Sequence, residues 1–121
     1  MTKQEALYSF FSSFGIAAHE ETNVDQSAEK PYLTYTYADD DFWGNQASIV
    51  VNLWYQTESN AAINAMVDTI AEAVGSGGKS VACDEGAIWI KKGSPFAQSL
   101  ADDDPAIRRR YINLTAEFLT A

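Results

Sequence analysis

The sequence predicts an α+β domain: an antiparallel β-sheet of about four to five strands of mixed length, with two main α-helices packed on one face. Three observations predict it. Two segments repeat apolar residues at helical spacing, several runs alternate with period two, and tight turns or loops join most of those runs. Hairpin-joined strands interrupted by few helices imply an antiparallel sheet with its helices segregated to one side. At 121 residues, with no internal repeat and no linker-like stretch, the chain reads as a single domain, 1–121. That length can bury a core without help from a metal or a disulfide.

The first helix is predicted to open at Thr2, because Glu5 follows three residues later in capping-box spacing. Leu7, Phe10, Phe11 and Phe14 then fall on one helical face, and Gly15 marks the stop. Residues 16–30 read mainly as a connection, with room for a short strand around Ile16 to His19. Pro31 introduces a strand-like run of β-branched and aromatic residues, Tyr32 to Tyr37. After an acidic loop, Ala47, Ile49, Val51, Leu53 and Tyr55 alternate with Ser48, Val50, Asn52, Trp54 and Gln56, which predicts a half-buried strand. These two runs form a hairpin with a long, aromatic-tipped loop. Glu58, Ser59 and Asn60 offer caps to a second helix carrying Ile63, Val67, Ile70 and Val74, which Gly75 to Gly78 end. Two short strands follow, around Ser80 to Cys83 and Ala87 to Lys91, about the turn Asp84-Glu85-Gly86. Gly93, Ser94 and Pro95 break the pattern, Asp102 to Pro105 make another loop, and a last strand runs from Arg108 to Leu119.

Charge narrows the function. Seventeen Asp and Glu against eight Lys and Arg give a formal net charge of −9. Direct nucleic-acid binding needs a basic footprint, and docking on an anionic membrane needs one too, so neither is expected. Most of the acid serves solubility. Cys83 is the single cysteine, which excludes an internal disulfide and fits a reducing compartment. The start lacks a signal-peptide layout, and no apolar run approaches the ~18–20 residues of a membrane helix. A protein made in a cytoplasm is therefore expected.

Motifs for chemistry are weak. Gly75 to Ser80 ends like a phosphate-binding loop, but the first glycine of that pattern would fall on Ala73. The loop also closes a helix where a phosphate loop would open one. His19 and Cys83 lie on different predicted elements, without a nucleophile elbow. The clusters Asp39–Asp41 and Asp102–Asp104 lack the alternating ligands and distal Glu of a calcium loop. No cofactor, metal or catalytic residue is assigned, and no enzymatic activity is expected.

Other residues point to contacts between proteins. Asp39, Asp40, Asp41, Phe42 and Trp43 make an acidic loop with large aromatics at its tip, a placement typical of interface anchors unless the loop folds back. Trp54 and Trp89 fall on the more polar faces of their strands. The side of the sheet away from the helices is therefore covered, either by a neighbouring subunit or by the chain's own loops. Pro95 and Phe96 open the segment 94–105, which with the loop 39–45 is a candidate contact region. Asp102, Asp103 and Asp104 stand just before Arg108, Arg109 and Arg110. The two clusters either pair locally or meet head-to-tail across a ring interface.

Several segments carry a resemblance. The stretches EALYSFFSSFG from Glu5, KPYLTY from Lys30, SIVVNLWY from Ser48 and RYINLTAEFL from Arg110 are similar to small tail proteins of phages and prophages of Gram-positive bacteria. IWIKKGSPFAQ from Ile88 is the most specific of them. Nearly the whole chain resembles the tail-terminator, or tail-completion and head–tail joining, family. The resemblance implies a non-catalytic α+β protein of the virion that forms a ring, commonly a hexamer, which closes either on its own or only on the tail. That ring would cap the tail tube protein, end tail elongation and offer a surface to the head-side connector or neck protein. A neck or head–tail adaptor is a sister reading. A small cytoplasmic ligand-binding or regulatory domain, with a cleft beside Trp54 or Trp89, is the reading from another class.

Overall fold

A computed structural model of the chain describes residues 1–24, 27–37 and 46–120. Helix α1, Lys3–Ser12, begins as its capping box predicts. The Thr2 hydroxyl accepts from the Glu5 amide at 3.1 Å, and the Thr2 amide donates to the Glu5 carboxylate at 3.0 Å. Hydrogen bonding to Thr2, first from its backbone amide and then from its side chain, holds the Glu5 carboxyl below the usual carboxylate range. The strands are β1, Ala17–Glu20; β2, Tyr32–Tyr35; β3, Ala47–Gln56; β4, Lys79–Cys83; β5, Gly86–Leu100; and β6, Ile107–Thr120. Helix α2, Ala61–Val74, lies between β3 and β4.

The six strands of the described residues form one sheet in the order β1-β2-β3-β6-β5-β4. The expected four to five strands are therefore six. The sheet is also mixed, because β1 lies parallel to β2 while every other neighbouring pair is antiparallel. β1 has only four residues, too few to display a period, and its pairing depends on residues fifteen positions further along the chain. The break expected at Gly93-Ser94-Pro95 does not end β5. A register shift between Lys92 and Ala97 absorbs the extra residues, and the strand continues to Leu100. The Asn113 amide donates to the Pro95 carbonyl at 2.9 Å across that bulge. The expected contact loop 94–105 thus shrinks to the short turn joining β5 and β6.

One face of the sheet is the core. Ile49, Val51 and Leu53 of β3, Ile112 and Ala116 of β6, and Ile88 and Ile90 of β5 are all fully buried. Leu7 and Phe11 of α1 and Ile63 and Ile70 of α2 join the same cluster, so both helices cover this face. Phe11 stacks on Tyr35 with ring centres 4.5 Å apart. Burial of each such Val, Leu, Ile or Phe side chain is worth roughly 1.5–3 kcal/mol. α1 touches both β1 and β4, the two edge strands, so the sheet curls around it. The positive φ of Gly75, 72°, ends α2, a conformation open to glycine at little cost.

Candidate protein-binding interface

The pleat divides the three consecutive arginines. Arg108 and Arg110 face the helices, in register with Tyr55 and Leu53 of the core face, and Arg109 faces the other way, opposite Trp54. Arg108 donates to the Pro105 and Glu58 carbonyls, each at 2.7 Å, and so ties the β5–β6 turn to the approach to α2. Arg110 donates to the Asn64 side-chain oxygen at 3.0 Å. Both are internal fasteners, which the run of three like charges did not reveal.

Arg109 opens an aromatic row on the outer face. Its guanidinium carbon lies 3.8 Å from the centre of the Trp54 ring. Trp54 stacks on Tyr32 at 6.1 Å, Tyr32 meets His19 edge-on at 5.6 Å, and the Lys30 ammonium lies 5.9 Å from the Tyr32 ring. The row crosses β1, β2, β3 and β6, and exposed Leu100 of β5 extends it in register with Arg109. A parallel row runs through Thr34, Asn52, Tyr111 and Gln98. Neither row contains a carboxylate. Three side-chain atoms here are buried with no hydrogen-bond partner among the described residues: Asn52 Oδ1, Trp54 Nε1 and Arg109 Nε. Such orphans are costly and uncommon in native proteins.

Trp89 is placed differently. Its indole N–H donates to the Gly77 carbonyl at 3.0 Å, and Lys91 lies 5.3 Å from its ring. A Cβ at Gly78 would overlap that indole. The glycine-rich stretch after α2 is therefore a partial cover for Trp89, although 39% of the residue stays exposed. The stretch leads out of a helix into β4, the reverse of a phosphate-binding context.

Asp102–Asp104 do not pair with the arginines. The Asp102 carboxylate accepts from the Asp104 amide at 3.0 Å, and the Asp104 carboxylate accepts from the Ala106 amide at 2.9 Å, so these side chains shape the turn. Among the described residues the three arginines form no ion pair with a carboxylate. Local pairing, one of the two expectations for these clusters, is thus not what the fold does. Phe96 packs partly buried against the core beneath Lys92, and Pro95 is exposed on the bulge. Asp39, Asp40, Asp41, Phe42 and Trp43 lie outside the described residues.

His19 and Cys83 sit on β1 and β4, at opposite ends of the strand order. No three His, Cys, Asp or Glu side chains gather as a metal site among the described residues, and no helix of the described residues is long and apolar enough to cross a membrane. A groove of about 710 Å³ lies between α1 and β1, lined in part by Gln4, Tyr8, Ser12, His19 and Tyr35. It is lined by neither Trp54 nor Trp89, so it is not the cleft expected beside those residues.

Sequence reasoning singled out Trp54 and Arg109 separately but missed Tyr32, Lys30 and His19 as their companions. The signal was the hairpin register: once β2 and β3 pair antiparallel, Tyr32 stands directly opposite Trp54.

No protein-family model matches the chain, and no curated protein matches it. Its fold is similar to that of a chain in the virion of a native gene transfer agent particle, with a TM-score of 0.62 and 15% sequence identity. The match covers 95% of this chain and 92% of the other.

Proposed function

We propose that this chain is a structural, non-catalytic protein of a phage or phage-like virion. In that reading it forms a ring at the head-proximal end of the tail, caps the tail tube, ends elongation and presents a joining surface to the head-side connector. The observation that carries the virion role is the fold likeness to a gene transfer agent virion chain, which extends over nearly the full length of both proteins. The finer placement at the tail end rests on the family resemblance of the segments around Glu5, Ser48, Ile88 and Arg110. The outer face agrees with an assembly role, because Trp, Tyr and Arg dominate the energetics of protein interfaces. A closed ring arises when heterologous contacts repeat by rotation, so its function is geometric and needs no reactive group.

Absolute mass by light scattering after size exclusion, over a wide concentration range, tests the reading. A closed multimer near six subunits is the expected result. A strict monomer that also fails to incorporate into tails assembled from the tube protein would overturn it. The groove between α1 and β1 favours a second reading, a small ligand-binding domain, which predicts a monomer or dimer of constant mass.

A further inference from the structure

The outer face has an unusual charge for this chain. Seventeen of 121 residues are acidic, yet the rows crossing Trp54 and Asn52 carry none, while Arg109 and Lys30 supply positive charge. On β6 the first carboxylate beyond Arg109 is Glu117, already bonded to Lys91 at 3.4 Å. Two of the orphaned atoms, Trp54 Nε1 and Arg109 Nε, are donors without acceptors among the described residues. The guanidinium rests on the indole and pairs with no carboxylate among the described residues. A surface of this kind is completed by an acceptor-rich, negatively charged segment.

The chain presents such a segment at the end of the β5–β6 hairpin. The Asp102–Asp104 turn spends one oxygen of Asp102 and one of Asp104 on its own backbone. Asp103 and Asp104 are exposed, and the turn makes no ion pair with the neighbouring arginines. The turn is thus shaped internally and keeps its charge for something outside.

We infer that the Arg109–Trp54 face of one copy receives the Asp102–Asp104 turn of a second copy. This rests on the ring reading and assigns the contact that repeats around it. A carboxylate of the incoming turn draws the Arg109 guanidinium from the indole and gives both orphaned donors acceptors. Asn52 Oδ1 is then available to a backbone N–H of the incoming turn. Arg108 and Arg110 take no part, because their donors are engaged within the subunit.

Intermolecular cross-linking tests this on the full chain. In a Cys83→Ala background, one variant carries Gln98→Cys on the receiving face and another carries Ala101→Cys beside the turn. The two are mixed and treated with a short bismaleimide. A mixed 98–101 product is expected. Arg109→Glu in the Gln98→Cys copy should lower its yield at least about tenfold, and Asp103→Arg in the other copy should restore it. Arg109→Gln, which keeps a planar donor over Trp54, separates loss of charge from misfolding and should also lower the yield. Absence of the mixed product up to millimolar protein overturns the inference, and so does a yield indifferent to Arg109→Glu. A closed ring by mass without the 98–101 product sinks this contact and leaves the ring reading standing. The 98–101 product together with a solution mass by light scattering of only two subunits sustains the contact and sinks the ring.

Discussion

The Arg109 guanidinium carbon lies over the Trp54 ring, 3.8 Å from its centre, and the two residues are direct register partners on β6 and β3. Contacts of this kind contribute about 0.5–1 kcal/mol at partly exposed sites. A double-mutant cycle over Arg109→Ala and Trp54→Ala, read by chemical denaturation, should give a coupling energy of that size. Coupling near zero would mean that the two side chains are merely adjacent.

Arg108 should behave differently from Arg109. It joins the β5–β6 turn to the segment before α2 through the Pro105 and Glu58 carbonyls. Arg108→Ala should therefore lower folding stability by about 1.5 kcal/mol, the low end for a charged donor, and leave the 98–101 cross-link intact in the fraction that remains folded. Thermal melts paired with the cross-linking assay separate the two arginines.

Gly78 and Trp89 form a steric pair. Gly78 has φ of 91°, and a side chain there would strike the indole. Gly78→Ala should cost roughly 1–3 kcal/mol, from left-handed strain and from overpacking together. Trp89→Ala in the same chain should recover part of that loss. A double variant no more stable than additivity predicts would place the whole cost in the backbone.

Alkaline pH should weaken the fold through Tyr35. Burial against Phe11 pushes its phenol up to about 12, from a usual value of 10.0. The folded state thus keeps a proton that the unfolded chain gives up sooner. The associated stability is fully present below about pH 10 and is lost as pH climbs towards 12. Burial raises Tyr55 in the same direction. Denaturation midpoints measured from pH 8 to 12 should fall, and Tyr35→Phe should flatten that fall. An unchanged slope in Tyr35→Phe would assign the alkaline loss to other groups.

Local chemistry was legible where one short segment contained all the partners. The Thr2–Glu5 capping box, the glycine stop of α2, the two-residue turn before Gly86 and the face alternation of β3 and β6 follow from spacing alone. Period two along β6 places Arg109 on the face opposite Ile112 and Leu114. The continuation of β5 past Pro95 was not legible, because it depends on Asn113 bonding across the bulge from another strand.

The sequence by itself determined which residues are buried and which strands have one wet face, since both are periodic properties of a local segment. It also determined the acidity of the chain. Only the tertiary structure decided what the arginines do. Their roles depend on which strands become neighbours, and β3 reaches β6 only after α2, β4 and β5 have intervened in the chain. That pairing lays Arg109 on Trp54, brings Tyr32 alongside and turns Arg108 and Arg110 inward, because register between distant strands sets which side chains meet.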